Sequence, residues 1–280
     1  MQTNNINGNV STEHSQSGRD TITSAFQKAQ TKRSAALMPY FTLGYPDRQT
    51  ALNVVEAIAP YSDLIELGVP FSDPLADGPT VQHSTQIALE NGTTVTDCLS
   101  MVSELRERGV TTPFCLMGYY NPMIAYGLER YVNDAKAAGA QGFIVPDLPP
   151  EEAEEFLQLT SAAGMAYIYL LAPTSDADRI AQVTAVANGF IYLVSVTGVT
   201  GARASLHHDL DAFIERVRAQ TDASLAVGFG ISTPELAASV GALADGVIVG
   251  SALINAVNAA DDKPQAAAEF VQSLAAALEK

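Results

Sequence analysis

The stretch LMPYFTLGYPDRQTALNVVEAIAPYSDLIELGV, residues Leu37 to Val69, decides the fold. Two short apolar runs, Leu37–Leu43 and Leu64–Leu67, flank RQTALNVVEAIA, whose apolar residues recur at helical spacing. A strand, a helix and a second strand in that order make a βα unit rather than a hairpin. The same pattern returns along the chain. Further strand-like runs are Pro113–Met117, Gly142–Val145, Ala166–Leu171, Phe190–Val194, Leu225–Val227 and Gly246–Val249. Between them lie helical patterns such as EEAEEFLQLTSAAG and LDAFIERVRAQ. Ser232-Thr233-Pro234-Glu235 carries a helix-start signal and Gly164 a helix stop.

Strand starts are mostly roughly 20–35 residues apart, as βα units require. The longer gap between the second and third runs, with HSTQIALENG and TDCLSMVSELRERG, predicts an extra helix. Eight such units predict an α/β fold, a single (β/α)₈ TIM barrel with extra helices. The competitor, an open doubly wound sheet, lacks its strand-loop-helix G-x-G-x-x-G fingerprint near the first strand. Thirteen of the residues from Gln2 to Gly18 are Gln, Thr, Asn, Gly or Ser, which leaves little to bury. Residues 1–22 are therefore expected to form a disordered tail, and 23–280 the barrel domain.

Composition narrows the function classes. A net charge of −16 argues against nucleic acid or an anionic membrane as partner. A small anionic substrate stays possible, because backbone N–H groups can hold a phosphate without lysine. No apolar run approaches the ~18–20 residues needed to span a bilayer. The start of the chain resembles neither a secretory signal nor a transit peptide, so a cytoplasmic protein is expected. Cys98 and Cys115 show no metal-type spacing and are read as reduced, buried thiols.

In such a barrel the chemistry belongs at the C-terminal ends of the strands. Side chains alternate along a strand, so Leu64, Glu66 and Gly68 share one face while Ile65, Leu67 and Val69 share the other. The second set is uniformly apolar and suits the outer helices, which turns Glu66 into the barrel mouth with Gly68 leaving space above it. A buried carboxylate needs a partner or a task, and none of the eight runs contains Lys or Arg. The same absence removes a Schiff-base lysine. None of His14, His83, His207 and His208 lies at a strand end, so no metal site is expected. What remains is carboxylate acid–base catalysis on a phosphorylated small molecule.

The last three strands run into VSVTGVTGAR, VGFGIS and IVGSAL. Glycines there let backbone amides approach an anion, and a following helix N-terminus adds its dipole. Gly201, Gly230, Gly250 and Ser251 are the phosphate candidates, although barrel corners also use glycine for their own geometry. After Glu66, Pro70, Pro74 and Pro79 restrict a loop carrying Asp73 and Asp77. Asp73 fits a turn-former or a partner contact, and Asp77 fits either an ordinary turn residue or a presented acid.

Taken in order, LIELGVPFSDPLADGPTVQ, MPYFTLGYP, FIVPDLPPEE, YLVSVTGVTGAR, VGFGIS and IVGSAL closely resemble the tryptophan synthase alpha chain family over residues 23 to 280. The resemblance implies retro-aldol cleavage of indole-3-glycerol phosphate to indole and glyceraldehyde 3-phosphate. It gives Glu66 the general acid–base role and Asp77 the hydrogen bond to the indole N–H. Gly201, Gly230, Gly250 and Ser251 would bind phosphate, and Tyr40, Leu116, Tyr192, Phe229 and Ile248 would line the indole pocket. Thr200 looks like the lid residue that meets Asp77 on closure. The family works as an α₂β₂ complex that passes indole to a beta chain. Pyridoxal phosphate would belong to that partner, with no cofactor on this chain. The loop from Pro70 to Pro74, with Asp73 as a coupling residue, is the expected contact surface. Two other readings compete: a non-catalytic subunit that binds the phosphate ligand and regulates a partner, and another phosphate-binding barrel isomerase.

Overall fold

The structure is a computed structural model that describes residues 17–194, 203–228 and 230–280, with backbone alone for 203–208. Eight parallel strands close into a barrel in chain order. They are β1 (Ala36–Thr42), β2 (Ile65–Gly68), β3 (Phe114–Met117), β4 (Gly142–Ile144), β5 (Ala166–Leu171), β6 (Phe190–Val194), β7 (Ser224–Gly228) and β8 (Gly246–Val249). Each matches an apolar run of the sequence within a residue or two at its ends. Closure comes from β1 pairing with β8, where Met38 faces Ile248, and with β2, where Tyr40 faces Glu66.

Alternation divides the strands into two layers. Met38, Leu64, Cys115, Ile144, Ile168, Phe190, Ala226 and Ile248 form the interior cluster. Leu37, Phe41, Ile65, Leu67, Phe143 and Tyr167 belong to the outer core under the helices. The helix α2 (Arg48–Ile58) starts where Asp47 accepts the Thr50 N–H at 2.9 Å, the side-chain cap that an isolated helix end needs. The gap between β2 and β3 holds α3 (Pro79–Glu90) and α4 (Val95–Glu107). Thr94 and Asp97 form a reciprocal capping box at the start of α4. Then α5 (Tyr120–Tyr126) and α6 (Leu128–Ala138) follow β3, and α7 (Glu154–Ala163) follows β4. The helix α7 stops at Gly164 in the left-handed conformation, φ +71°, where glycine carries no Cβ penalty. The ring is completed by α8 (Ala177–Val186), α9 (Arg203–Arg218), α10 (Pro234–Gly241), α11 (Ser251–Ala259) and α12 (Lys263–Ala277). Thr233 caps α10 as the sequence signal implied.

At the other end of the barrel, α1 (Gly18–Lys32) lies across the strand starts. Ile22, Phe26 and Ala29 enter the interior cluster, and the Phe26 ring sits 5.5 Å from that of Phe190. This corrects the expected tail boundary at residue 22. Ser17 caps the helix through the Asp20 N–H, and Ile22 is fully buried, so residues 18–22 belong to the folded domain. Residues 1–16 lie outside the described ones.

One half-buried cation ties the strand starts together. Arg106, on α4, donates to the carbonyls of Val110, Thr112 and Gly139 and to the Gln141 side chain, and its guanidinium lies 3.8 Å from the Phe114 ring centroid. Burial pushes its pKa down to about 10, which leaves it charged at neutral pH.

Candidate active site

Strand β2 carries Glu66 into the barrel. Leu64, two residues earlier, is in the interior cluster, while Ile65 and Leu67 lie in the outer core. The Glu66 side chain is fully buried, and neither carboxyl oxygen has a hydrogen-bond partner among the described residues. Its strand neighbours are Tyr40 on one side and Cys115 on the other. Burial without a compensating cation disfavours the charged form and pushes the carboxyl up to about 8. A carboxyl so placed carries a proton at neutral pH and holds it loosely enough to deliver it.

Tyr40 stands over the strand next door. A Cβ on Gly68 would lie 2.1 Å from the Tyr40 hydroxyl and 2.5 Å from the ring carbon bearing it. The room left by Gly68 is therefore taken by the Tyr40 phenol, a correction to the expectation of free space there. The Tyr40 hydroxyl lies 3.3 Å from Thr42 Oγ1, which lies 2.7 Å from Ser84 Oγ on α3. Burial and the carboxylates of Asp77 and Glu66 push the Tyr40 pKa up, so the phenol stays protonated. The arrangement repeats across the barrel, where a Cβ on Gly228 would lie 2.1 Å from the Tyr192 hydroxyl. Tyr192 is raised likewise, by burial and then by Glu66 and Asp77.

Asp77 is presented by the loop after β2. The Tyr119 hydroxyl, on the turn after β3, donates to Asp77 Oδ2 at 3.1 Å and accepts the Ala76 N–H at 3.0 Å. Its ring packs on Phe71, centroid to centroid 5.3 Å. Partial burial pushes the Asp77 carboxyl up to about 6, against the hydrogen bond from Tyr119, which lowers it. The two acids are thus set apart, one ionised and one protonated near pH 7, the arrangement that separates acid and base roles. Tyr119 was missed in the sequence, because a loop residue has no parity to read.

Of the remaining expected residues, Tyr192 and Ile248 face inward with Glu66. Leu116 does not. It pairs with Leu67 and Phe143, both in the outer core, so it packs under the helices and cannot line the mouth. The inward residues of β3 are Cys115 and Met117. Gly250 lies beside the Tyr40 ring, 3.4 Å from the place of a Cβ, and Ser251 opens α11. Gly230 is exposed with φ +49°, a conformation that favours glycine. Thr200, Gly201 and Phe229 lie outside the described residues. Asp73 is exposed and accepts from Ser72, and Leu75, at 92% exposure, stands out from the same loop. A surface cavity of about 550 Å³ beside it is lined by Phe71, Leu75, Tyr119, Tyr120 and Asp147. Cys98 and Cys115 are buried free thiols, as expected. Among the described residues no group of His, Cys, Asp and Glu could hold a metal ion.

The sequence profile of the family described as tryptophan synthase alpha chain matches residues 26–280. The chain belongs to that family. The tryptophan synthase alpha chain of Chloroflexus aggregans is 49% identical over 262 residues, covering 92% of this chain and 98% of that one. The alpha chain of Roseiflexus castenholzii is 49% identical over 256 residues, covering 90% and 98%. Among solved structures, the tryptophan synthase alpha chain of Legionella pneumophila superposes with a TM-score of 0.83 at 36% identity, covering 92% of this chain and 97% of that one. A chain of Mycobacterium tuberculosis tryptophan synthase superposes with a TM-score of 0.85 at 35% identity, covering 92% and 98%. An alpha chain of tryptophan synthase is a lyase that works with a beta chain in an α₂β₂ complex, and the pyridoxal phosphate is the beta chain's.

Proposed function

We propose that Glu66 and Asp77 carry the alpha reaction, cleavage of indole-3-glycerol phosphate to indole and glyceraldehyde 3-phosphate. The observation that supports this most is the Glu66 carboxyl, fully buried at the mouth and with no partner among the described residues. Protonated Glu66 gives its proton to indole C3. The resulting carboxylate then removes the proton from the C3′ hydroxyl as the C3–C3′ bond breaks. The bond's electron pair returns to the ring, releasing indole, and C3′ becomes the aldehyde carbon. Asp77, ionised, accepts the indole N–H and stabilises the positive charge that develops on the ring after protonation. Tyr40, Tyr192 and Ile248 enclose the indole, and Gly230, Gly250 and Ser251 hold the phosphate at the N-terminus of α11.

Residues 18–280 make the catalytic unit in this reading, and Pro70 to Pro74 with Asp73 meet the beta chain. A cytoplasmic location fits, since no helix among the described residues is long and apolar enough to cross a membrane. The retained pair Glu66 and Asp77 argues against a purely regulatory subunit. The test is to incubate the full chain with indole-3-glycerol phosphate, with and without a beta chain, and follow indole. Glu66→Gln should nearly abolish turnover while leaving ligand binding intact. Wild-type turnover in that variant would defeat the assignment.

A further inference from the structure

The hydroxyl chain beside Glu66 has a direction. Ser84 Oγ donates to the Val81 carbonyl at 2.8 Å, which commits its only proton. In its 2.7 Å contact with Thr42, Ser84 must therefore accept, and Thr42 must give up its own proton. In the 3.3 Å contact between Thr42 and Tyr40, the proton can then come only from Tyr40. All three hydroxyls are buried. The chain runs one way, from Tyr40 through Thr42 and Ser84 to a backbone carbonyl, and each bond polarises the next.

The consequence appears at the other end. With its proton committed, the Tyr40 oxygen offers the mouth only lone pairs. It lies over Gly68, on the same strand face as Glu66 and two residues further up the barrel. Burial first, then the acids Asp77 and Glu66, raise its pKa. Tyr119 and Tyr192 belong to the same group of facing titratable side chains. No described residue donates to it. A phenylalanine would fill the same volume, so the hydroxyl is the feature to explain.

We propose that Tyr40 is a fixed hydrogen-bond acceptor for a hydroxyl on the glycerol side of the substrate, with Thr42 and Ser84 as positioning residues that aim it. The proposal rests on the reading of Glu66 and Asp77 as the reacting pair. Asp77 is engaged by the ring N–H and Glu66 by the reacting centre. The glycerol chain also carries hydroxyl donors, and the Tyr40 oxygen is the acceptor beside Glu66. A site that receives a hydroxyl discriminates against analogues lacking it, because the acceptor is then left unpaired.

The test uses the full-length chain with Glu66→Gln as background, so that substrate binds without turning over. Dissociation constants are measured for indole-3-glycerol phosphate and for an analogue with hydrogens in place of both glycerol hydroxyls. Adding Tyr40→Phe should weaken substrate binding roughly three- to tenfold, the range of one neutral hydrogen bond, and leave analogue binding unchanged. Ser84→Ala should reproduce part of that selective loss from outside the pocket, and Ser84→Thr should restore it. Equal weakening of both ligands, or none, would overturn the proposal. Failure of the parent reading shows separately, as turnover by the Glu66→Gln chain.

Discussion

The two acids of the mouth make the pH profile of kcat/KM the most informative measurement, and Tyr119→Phe the most informative change. With Asp77 at about 6 and Glu66 at about 8, the competent free enzyme has Asp77 ionised and Glu66 protonated. The profile should be a bell with limbs near those values. Tyr119 donates to Asp77 Oδ2 at 3.1 Å, a hydrogen bond that favours the ionised form. A hydrogen bond to a charged group contributes about 1.5–3 kcal/mol. The lower end applies at a half-buried site, and about 1.4 kcal/mol corresponds to one pH unit. Tyr119→Phe should therefore lift the acidic limb by about one pH unit and leave the alkaline limb in place. The assay is steady-state indole release between pH 5 and 9.5 with the beta chain present. An acidic limb that does not move would refute the Tyr119–Asp77 linkage. A profile with one rising limb near pH 8 would show that Glu66 must start as the base, against a reaction that begins with its proton passing to indole C3.

Other outcomes follow from the same geometry. Glu66 has a folded pKa raised from 4.5 to about 8, so the native state keeps a proton that the unfolded chain loses, and stability falls as pH rises through that window. Glu66→Gln removes the slope: its unfolding free energy relative to wild type should rise by about 3 kcal/mol between pH 4.5 and 7, read by urea denaturation. Gly68→Ala puts a methyl 2.1 Å from the Tyr40 hydroxyl and should cost about 1–3 kcal/mol, with Tyr40→Leu in the same chain recovering part of the melting temperature. Arg106→Ala leaves the part-buried carbonyls of Val110, Thr112 and Gly139 without their donor and should cost about 2–3 kcal/mol by chemical denaturation. Leu75→Asp, at a residue 92% exposed, should leave the lone chain within about 0.5 kcal/mol of wild type yet weaken its titration with a beta chain at least tenfold.

How far the sequence was legible depended on which rule applied to each residue. The barrel and its eight strands could be read because strand alternation and βα spacing are local properties of the chain. Parity also turned Glu66 inward, and the lack of strand-borne cations agreed with its unpartnered state. Leu116 went wrong for the same physical reason that Glu66 went right. One residue of offset in a short strand exchanges the two faces, and Met117 rather than Leu116 turns toward the mouth. The phenol over Gly68 was illegible because it depends on how far one strand's ring reaches across its neighbour, which no single-strand pattern encodes. Tyr119 and the Thr42–Ser84 contact join elements distant in sequence and follow only from the closed ring. The start of α1 was hidden by its polar surface, since one buried face is enough to hold a helix.

That first helix has a bearing on traffic. Among the described residues, α1 fills the strand starts with Ile22, Phe26 and Ala29 and closes that end of the barrel, which leaves the opposite end as the doorway. In the proposed reaction, indole made beside Glu66 leaves on the strand-end side of the barrel. A second enzyme that is to receive it without loss has to stand over that doorway, so that docking and capture become a single event. A chain working alone would spill the same product into solvent.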